Sequence, residues 1–253
     1  MAVERKGPDE LQEHMLWTYY GLRVGLAAIG FALPLVLVLL GALLHDEWLK
    51  PSISEFYYVK GTSFLTTRDV FVAGLFAAGI CLYLYKGFSN KENVALNAAG
   101  LFAALVATFP TAETDDKRGV VSAIHGASAV LFFLSIAYVS VFRSSDTLRL
   151  LSEARRPRYR RAYMITSLAM IVSPFTALAL SFFLRPADAR IFLVETLGVW
   201  AFSAYWVVKT LEMRDSSAEK LALDAELRRE LVPDPDGREG PPTSGAAEKI
   251  VRK

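Results

Sequence analysis

Residues 119–161 read GVVSAIHGASAVLFFLSIAYVSVFRSSDTLRLLSEARRPRYRR. The first 24 of them carry no Lys, Arg, Asp or Glu, and about 20 apolar residues in a helix cross a bilayer. The next nineteen hold seven arginines: Arg143, Arg149, Arg155, Arg156, Arg158, Arg160 and Arg161. A membrane span that runs into a strongly basic loop sets both the solvent and the direction of crossing, because Lys and Arg concentrate on the cytoplasmic side.

Working outward from this stretch, five more apolar runs of similar length appear, near 23–44, 69–86, 92–110, 163–184 and 191–209. They predict an all-α polytopic membrane protein, a bundle of six transmembrane helices. With six spans the loops alternate. One side collects 21 of the 28 basic residues (three near the N-terminus, Lys86 and Lys91, the seven arginines, and nine from Lys209 onward), and the other side seven. Both termini are therefore expected in the cytoplasm of a bacterial inner (plasma) membrane. The predicted divisions are an interfacial N-terminal helix over 1–22, the membrane domain over 23–209, and a cytoplasmic tail over 210–253, helical near 215–231 and then rich in Pro and Gly. Trp17, Tyr19 and Tyr20 suit the headgroup level before the first span. No cleavable leader is read before it.

The single cysteine, Cys81, excludes an intrachain disulfide and any Cys-based metal cluster. No phosphate loop, Gly-x-Ser-x-Gly elbow, His-Glu-x-x-His or dinucleotide fingerprint is present. In the third span Ala95, Ala99, Ala103 and Ala107 share one register, with Gly100 and Ala104 beside it. Small residues at that spacing let helices approach closely. Pro34 and Pro174 interrupt spans one and five and free backbone carbonyls there.

Ionisable groups inside spans are costly and are functional candidates by default. Asp69, His125 and Glu195 stand at the outer ends of spans two, four and six. At ~1.5 Å of rise per residue, His125 and Glu195 lie roughly 9 and 6 Å inside, with Asp69 at the rim. This shared depth predicts an outer-leaflet polar pocket for a lipid headgroup or small polar ligand, covered by Ser54, Glu55, Tyr58 and Arg68. No cofactor is expected. One alternative is a membrane-embedded hydrolase with a zinc-bound water, in which Glu195 is the base; another is an oligomeric channel. Each candidate also has a structural reading: Asp69 as a helix-start carboxylate, His125 as an interhelical hydrogen-bonding group, Glu195 snorkelling to Arg185 or Arg190. Asn97 and Ser122 read as interhelical hydrogen-bonding groups, and Glu113, Asp115 and Asp116 as a solvated loop. The run Arg155, Arg156, Arg158, Arg160 and Arg161 reads as a contact for anionic lipid, with no basic–aromatic module for nucleic acid around it. A homo-oligomer is compatible with the small-residue faces.

Several short motifs carry a resemblance: Pro51-Ser52-Ile53-Ser54-Glu55, Arg68-Asp69-Val70-Phe71, Tyr85-Lys86-Gly87, Asn97 to Gly100, and His125 to Ala129. With these the chain resembles the DRAM/Frag/Sfk-type six-helix membrane proteins and related uncharacterised bacterial membrane families. That resemblance implies a six-helix bundle without assigned catalytic residues, and in eukaryotic members a link to membrane-lipid handling and autophagy. Ser54, Asp69 and His125 also resemble parts of the ceramidase/adiponectin-receptor superfamily of seven-helix zinc hydrolases. The chain departs from that pattern: its three histidines (His14, His45, His125) form no His-x-x-x-His pair.

Overall fold

A computed structural model describes residues 8–45, 48–59, 65–111, 119–183 and 189–231. Among these, the regular elements are all helical. They are α1 (Pro8–His45), a 3-10 helix (Ile53–Tyr58), α2 (Thr67–Leu84), α3 (Asn90–Thr108), α4 (Val120–Tyr138), α5 (Ser144–Leu148), α6 (Arg156–Phe183), α7 (Arg190–Ser216) and α8 (Ala218–Leu231). A π turn, Val139–Arg143, joins α4 to α5.

The helices begin where the chain supplies caps. Thr66 and Asp69 form a reciprocal capping box at the start of α2, and Ser89 accepts the Glu92 amide at the start of α3. Each such cap stabilises its helix by about 0.5–2 kcal/mol. Pro34 and Pro174 lie inside α1 and α6. Pro34 has no N–H for the Gly30 carbonyl; one residue on, Trp200 Nε1 donates to the Phe31 carbonyl at 3.2 Å while its ring stacks on Phe31.

The long helices close a ring in which α1 packs on α2, α2 on α3, α3 on α4, α4 on α6, α6 on α7, and α7 back on α1. Among the described residues, five helical stretches are long and apolar enough to cross a membrane, at Gln12–Leu44, Thr67–Leu84, Val120–Leu148, Arg156–Ser181 and Arg190–Ser216. The surface fits that reading. Ile165, Leu168 and Leu197 are each at least 60% exposed, and a water-soluble monomer rarely shows contiguous apolar area on such a scale. The chain is a membrane protein.

The alanine stripe lies where small residues were expected to matter. Ala99, Ala103 and Ala107 are buried, and Gly100 meets Gly79 of α2 so closely that a Cβ on either would stand 2.7–2.8 Å from the other's carbonyl oxygen. That crossing draws α2 and α3 together.

The N-terminal helix expected before the first span runs on into it as one continuous helix, α1. Two boundaries differ from the sequence reading. The basic run from Arg156 to Arg161 is the first turns of α6 rather than a loop. Helix α7 continues past Lys209 to Ser216, where Ser217 takes a left-handed conformation (φ 52°) and α8 starts. The first part of α1 and α8 meet at one face of the bundle: Gln12 donates to Asp224 at 2.6 Å, and Arg23 pairs with Glu219. This is called the terminal face below; the 3-10 helix marks the far face.

Candidate functional site

At the far face the structure gives the three expected pocket residues separate partners. Asp69 is exposed, and its Oδ2 accepts from the Thr66 amide and hydroxyl at 3.0 and 2.8 Å. His125 is buried, with Nδ1 2.7 Å from the Phe109 carbonyl just beyond α3. Glu195, one turn into α7, accepts the Ile53 amide at 2.7 Å. Ser54 is buried with its hydroxyl 2.9 Å from that of Ser52, and Tyr58 donates to the Thr111 carbonyl. Arg68 lies over the Tyr57 ring, 4.5 Å from its centroid. Glu55 belongs to the same 3-10 helix.

These contacts organise backbone. Glu195 secures the start of the 3-10 helix against α7, Thr67 Oγ1 donates to the Phe56 carbonyl at 2.6 Å, and His125 ties α4 to the end of α3. Among the described residues, no three His, Cys, Asp or Glu side chains converge in a way that would hold a metal ion. Asn97 is half-buried, with its Oδ1 buried and unpaired; Glu113, Asp115, Asp116 and Arg185 lie outside the described residues.

The terminal face holds something the sequence reading did not single out. Arg23, Glu92, Lys209 and Glu212 are each no more than 2% exposed, and α1, α3, α6 and α7, the cap residue of α2 and the π turn after α4 all bring polar groups to this level. Lys209 Nζ donates to Glu212 Oε2 at 3.1 Å and to Thr147 Oγ1 at 3.2 Å. Tyr163 of α6 donates to the same Glu212 oxygen at 2.8 Å. Glu92 of α3 accepts the Phe88 amide at 2.9 Å and lies within electrostatic reach of Lys209. Arg23 of α1 sits over Tyr85 at the end of α2, and its two terminal nitrogens pair with Glu219 of α8. The π turn supplies Ser140, whose hydroxyl donates to the Tyr163 carbonyl at 3.2 Å and accepts from Ser167 at 2.6 Å.

Buried charges are tolerated only when paired and hydrogen-bonded. This layer is a network of that kind, in which Arg23 and Lys209 balance part of the charge of Glu92, Glu212 and Glu219. A sequence signal for it existed. Tyr205, Lys209, Glu212 and Ser216 recur at intervals of four, three and four, which places them on one helical face. Ending the sixth span at Lys209 counted that residue with the cytoplasmic tail and left Glu212 and Ser216 outside the helix.

Beside this layer, on the outer surface between α6 and α7, lies a groove of about 500 Å³. Arg155, Arg158, Tyr159 and Asp215 form its polar end; Ala162, Val208 and Leu211 form its apolar floor. Tyr159 donates to Asp215 Oδ2 at 2.8 Å, and Arg155 pairs with the same oxygen at 3.1 Å. The other three expected lipid-contacting arginines divide their roles. Arg156, Arg160 and Arg161 are all exposed, but the Arg156 guanidinium folds back to donate to the Leu148 and Leu151 carbonyls at 3.2 Å.

No protein-family model, curated protein or solved structure matches this chain. Fold and site together define a class: an all-helical membrane protein with a buried charged layer at one end and a basic groove on its rim.

Proposed function

We propose that this chain is a six-span protein of the bacterial inner membrane, with both termini in the cytoplasm, that binds anionic phospholipid headgroups at its cytoplasmic rim and catalyses no reaction. The span that joins the five long apolar stretches is α3, which packs between α2 and α4 and carries no charged residue from Val94 to Thr108. The orientation rests on the Lys and Arg bias of the loops.

The observation that carries the lipid reading is the α6–α7 groove. Two arginines and a tyrosyl hydroxyl at one end, with an apolar floor leading from them, match a phosphate and the start of an acyl chain. A free phosphate would use only the first. A basic residue near an anionic surface contributes about 1 kcal/mol. Removing two should therefore weaken binding about 30-fold.

The test is retention of phosphatidylglycerol and of phosphatidylcholine by purified protein, read by native mass spectrometry. Wild type should keep phosphatidylglycerol preferentially, and Arg155→Ala/Arg158→Ala should lose that preference while remaining folded. Equal retention of both lipids by wild type would end this reading. Displacement by glycerophosphoglycerol at concentrations no higher than the lipid's would reassign the groove to a soluble phosphate ester.

A further inference from the structure

We infer that Asp215 acts as an internal occupant of the anion position in this groove, and that a lipid phosphate exchanging for it loosens α8 from α1. The inference rests on the lipid reading above and names how that site is regulated.

Asp215 Oδ2 holds the donors a phosphate would want, the Tyr159 hydroxyl and an Arg155 terminal nitrogen, at 2.8 and 3.1 Å. It does so from an unfavourable place. The last turn of α7 carries the negative end of the helix dipole, where a carboxylate is disfavoured unless cations or donors offset it. Arg155 and Tyr159 provide that offset, so they stabilise the α7 terminus as well as filling the groove.

Two residues later, Ser217 has φ 52°, the only positive φ at a non-glycine among the described residues. Side chains other than glycine rarely adopt this conformation, because Cβ crowds the following carbonyl. The strained joint lies between two sets of contacts. On one side is the Asp215 cluster; on the other, α8 is held to α1 by the Glu219–Arg23 pair and by Asp224 accepting from Gln12. The Ser216 hydroxyl accepts the Ala218 amide at 3.3 Å, closing the turn.

A phosphate entering the groove takes the Arg155 and Tyr159 donors and places its own negative charge beside Asp215. The carboxylate loses its partners and is repelled. The final turn of α7 is then no longer held, the Ser217 joint can relax, and α8 moves off Arg23. Coupling of this kind is reciprocal: whatever loosens α8 must also strengthen lipid binding by the same factor.

The experiment uses the full chain, with Cys81→Ser and spin labels at Glu13→Cys and Lys220→Cys, in nanodiscs of phosphatidylcholine or phosphatidylglycerol. The α1–α8 distance should be short and narrow in phosphatidylcholine and lengthen in phosphatidylglycerol. Asp215→Asn should raise phosphatidylglycerol affinity about five-fold or more. Glu219→Gln, which leaves the groove untouched, should raise it as well, and this covers the case where Asp215→Asn does not fold. If phosphatidylglycerol binds through Arg155 and Arg158 but the distance is unchanged and Glu219→Gln leaves affinity unaltered, the inference fails and the lipid reading stands. If phosphatidylglycerol is not preferred at all, both fall.

Discussion

Glu195 Oε2 lies 2.7 Å from the amide nitrogen of Ile53, across 142 residues of chain. A carboxylate inside α7 therefore holds the first turn of the far-face 3-10 helix, whose Ile53 and Phe56 pack with Phe71 and Phe192 in an apolar cluster. Leaving a buried amide unpaired costs about 1–3 kcal/mol. Glu195→Ala should lower stability by that amount and open the loop before α2 to protease. Glu195→Gln, which keeps an acceptor oxygen, should cost less. Thermal unfolding in detergent and limited proteolysis check both; equal stability of all three proteins would show that the contact does not hold the loop.

The Gly79–Gly100 crossing allows a controlled comparison. A Cβ at Gly100 would stand 2.7 Å from the Gly79 carbonyl oxygen, with backbone rather than a movable side chain in the way. Gly100→Ala should destabilise by about 1–3 kcal/mol, as overpacking does. At Gly126 nothing lies within 4 Å of an added Cβ, so Gly126→Ala should be neutral or stabilise by up to about 1 kcal/mol through helix propensity. Unfolding midpoints of the two variants should move in different directions or, at least, by clearly different amounts.

How much of this was legible beforehand follows from what each signal measures. Apolar runs report which segments leave water, and they placed α2, α3 and α4 within a few residues. They stop at the first charge, so they missed that α6 begins at Arg156 and that α7 runs on to Ser216. Helix continues wherever buried partners satisfy a charge, and those partners come from distant segments: Glu219 for Arg23, Tyr163 for Glu212. The expected far-face pocket used depth alone. Asp69, His125 and Glu195 do lie near one end of the bundle, but azimuth is set by packing, and each faces a different stretch of backbone. The small-residue register in α3 was readable because steric size acts locally; the buried charged layer was not, because pairing acts across the bundle.

The orientation has a direct test. Trp48 is 71% exposed before the 3-10 helix, and Leu150 is 43% exposed after α5. In a Cys81→Ser background, a cysteine at position 48 should react with a membrane-impermeant maleimide on intact spheroplasts, and one at position 150 should react only after lysis. The opposite pattern would invert the topology and move the α6–α7 groove to the outer leaflet.

The Lys209–Glu212 pair predicts a particular non-additivity. Both side chains are buried, and Lys209 also faces Glu92. Removing one partner of a buried pair leaves an uncompensated charge and costs about 3–5 kcal/mol, whereas removing both removes the imbalance with the interaction. Lys209→Met leaves two carboxylates without their cation, while Glu212→Gln leaves Lys209 with Glu92 still near it and keeps an acceptor for Tyr163. The lysine substitution should therefore be the more damaging, and the double variant should be less destabilised than the sum of the singles by about 1–3 kcal/mol. Unfolding of the four proteins in one detergent, followed by tryptophan fluorescence, measures that difference. Strict additivity would mean that the two charges are stabilised independently, by Thr147 and Glu92 on one side and Tyr163 on the other, and that the layer is a set of separate contacts.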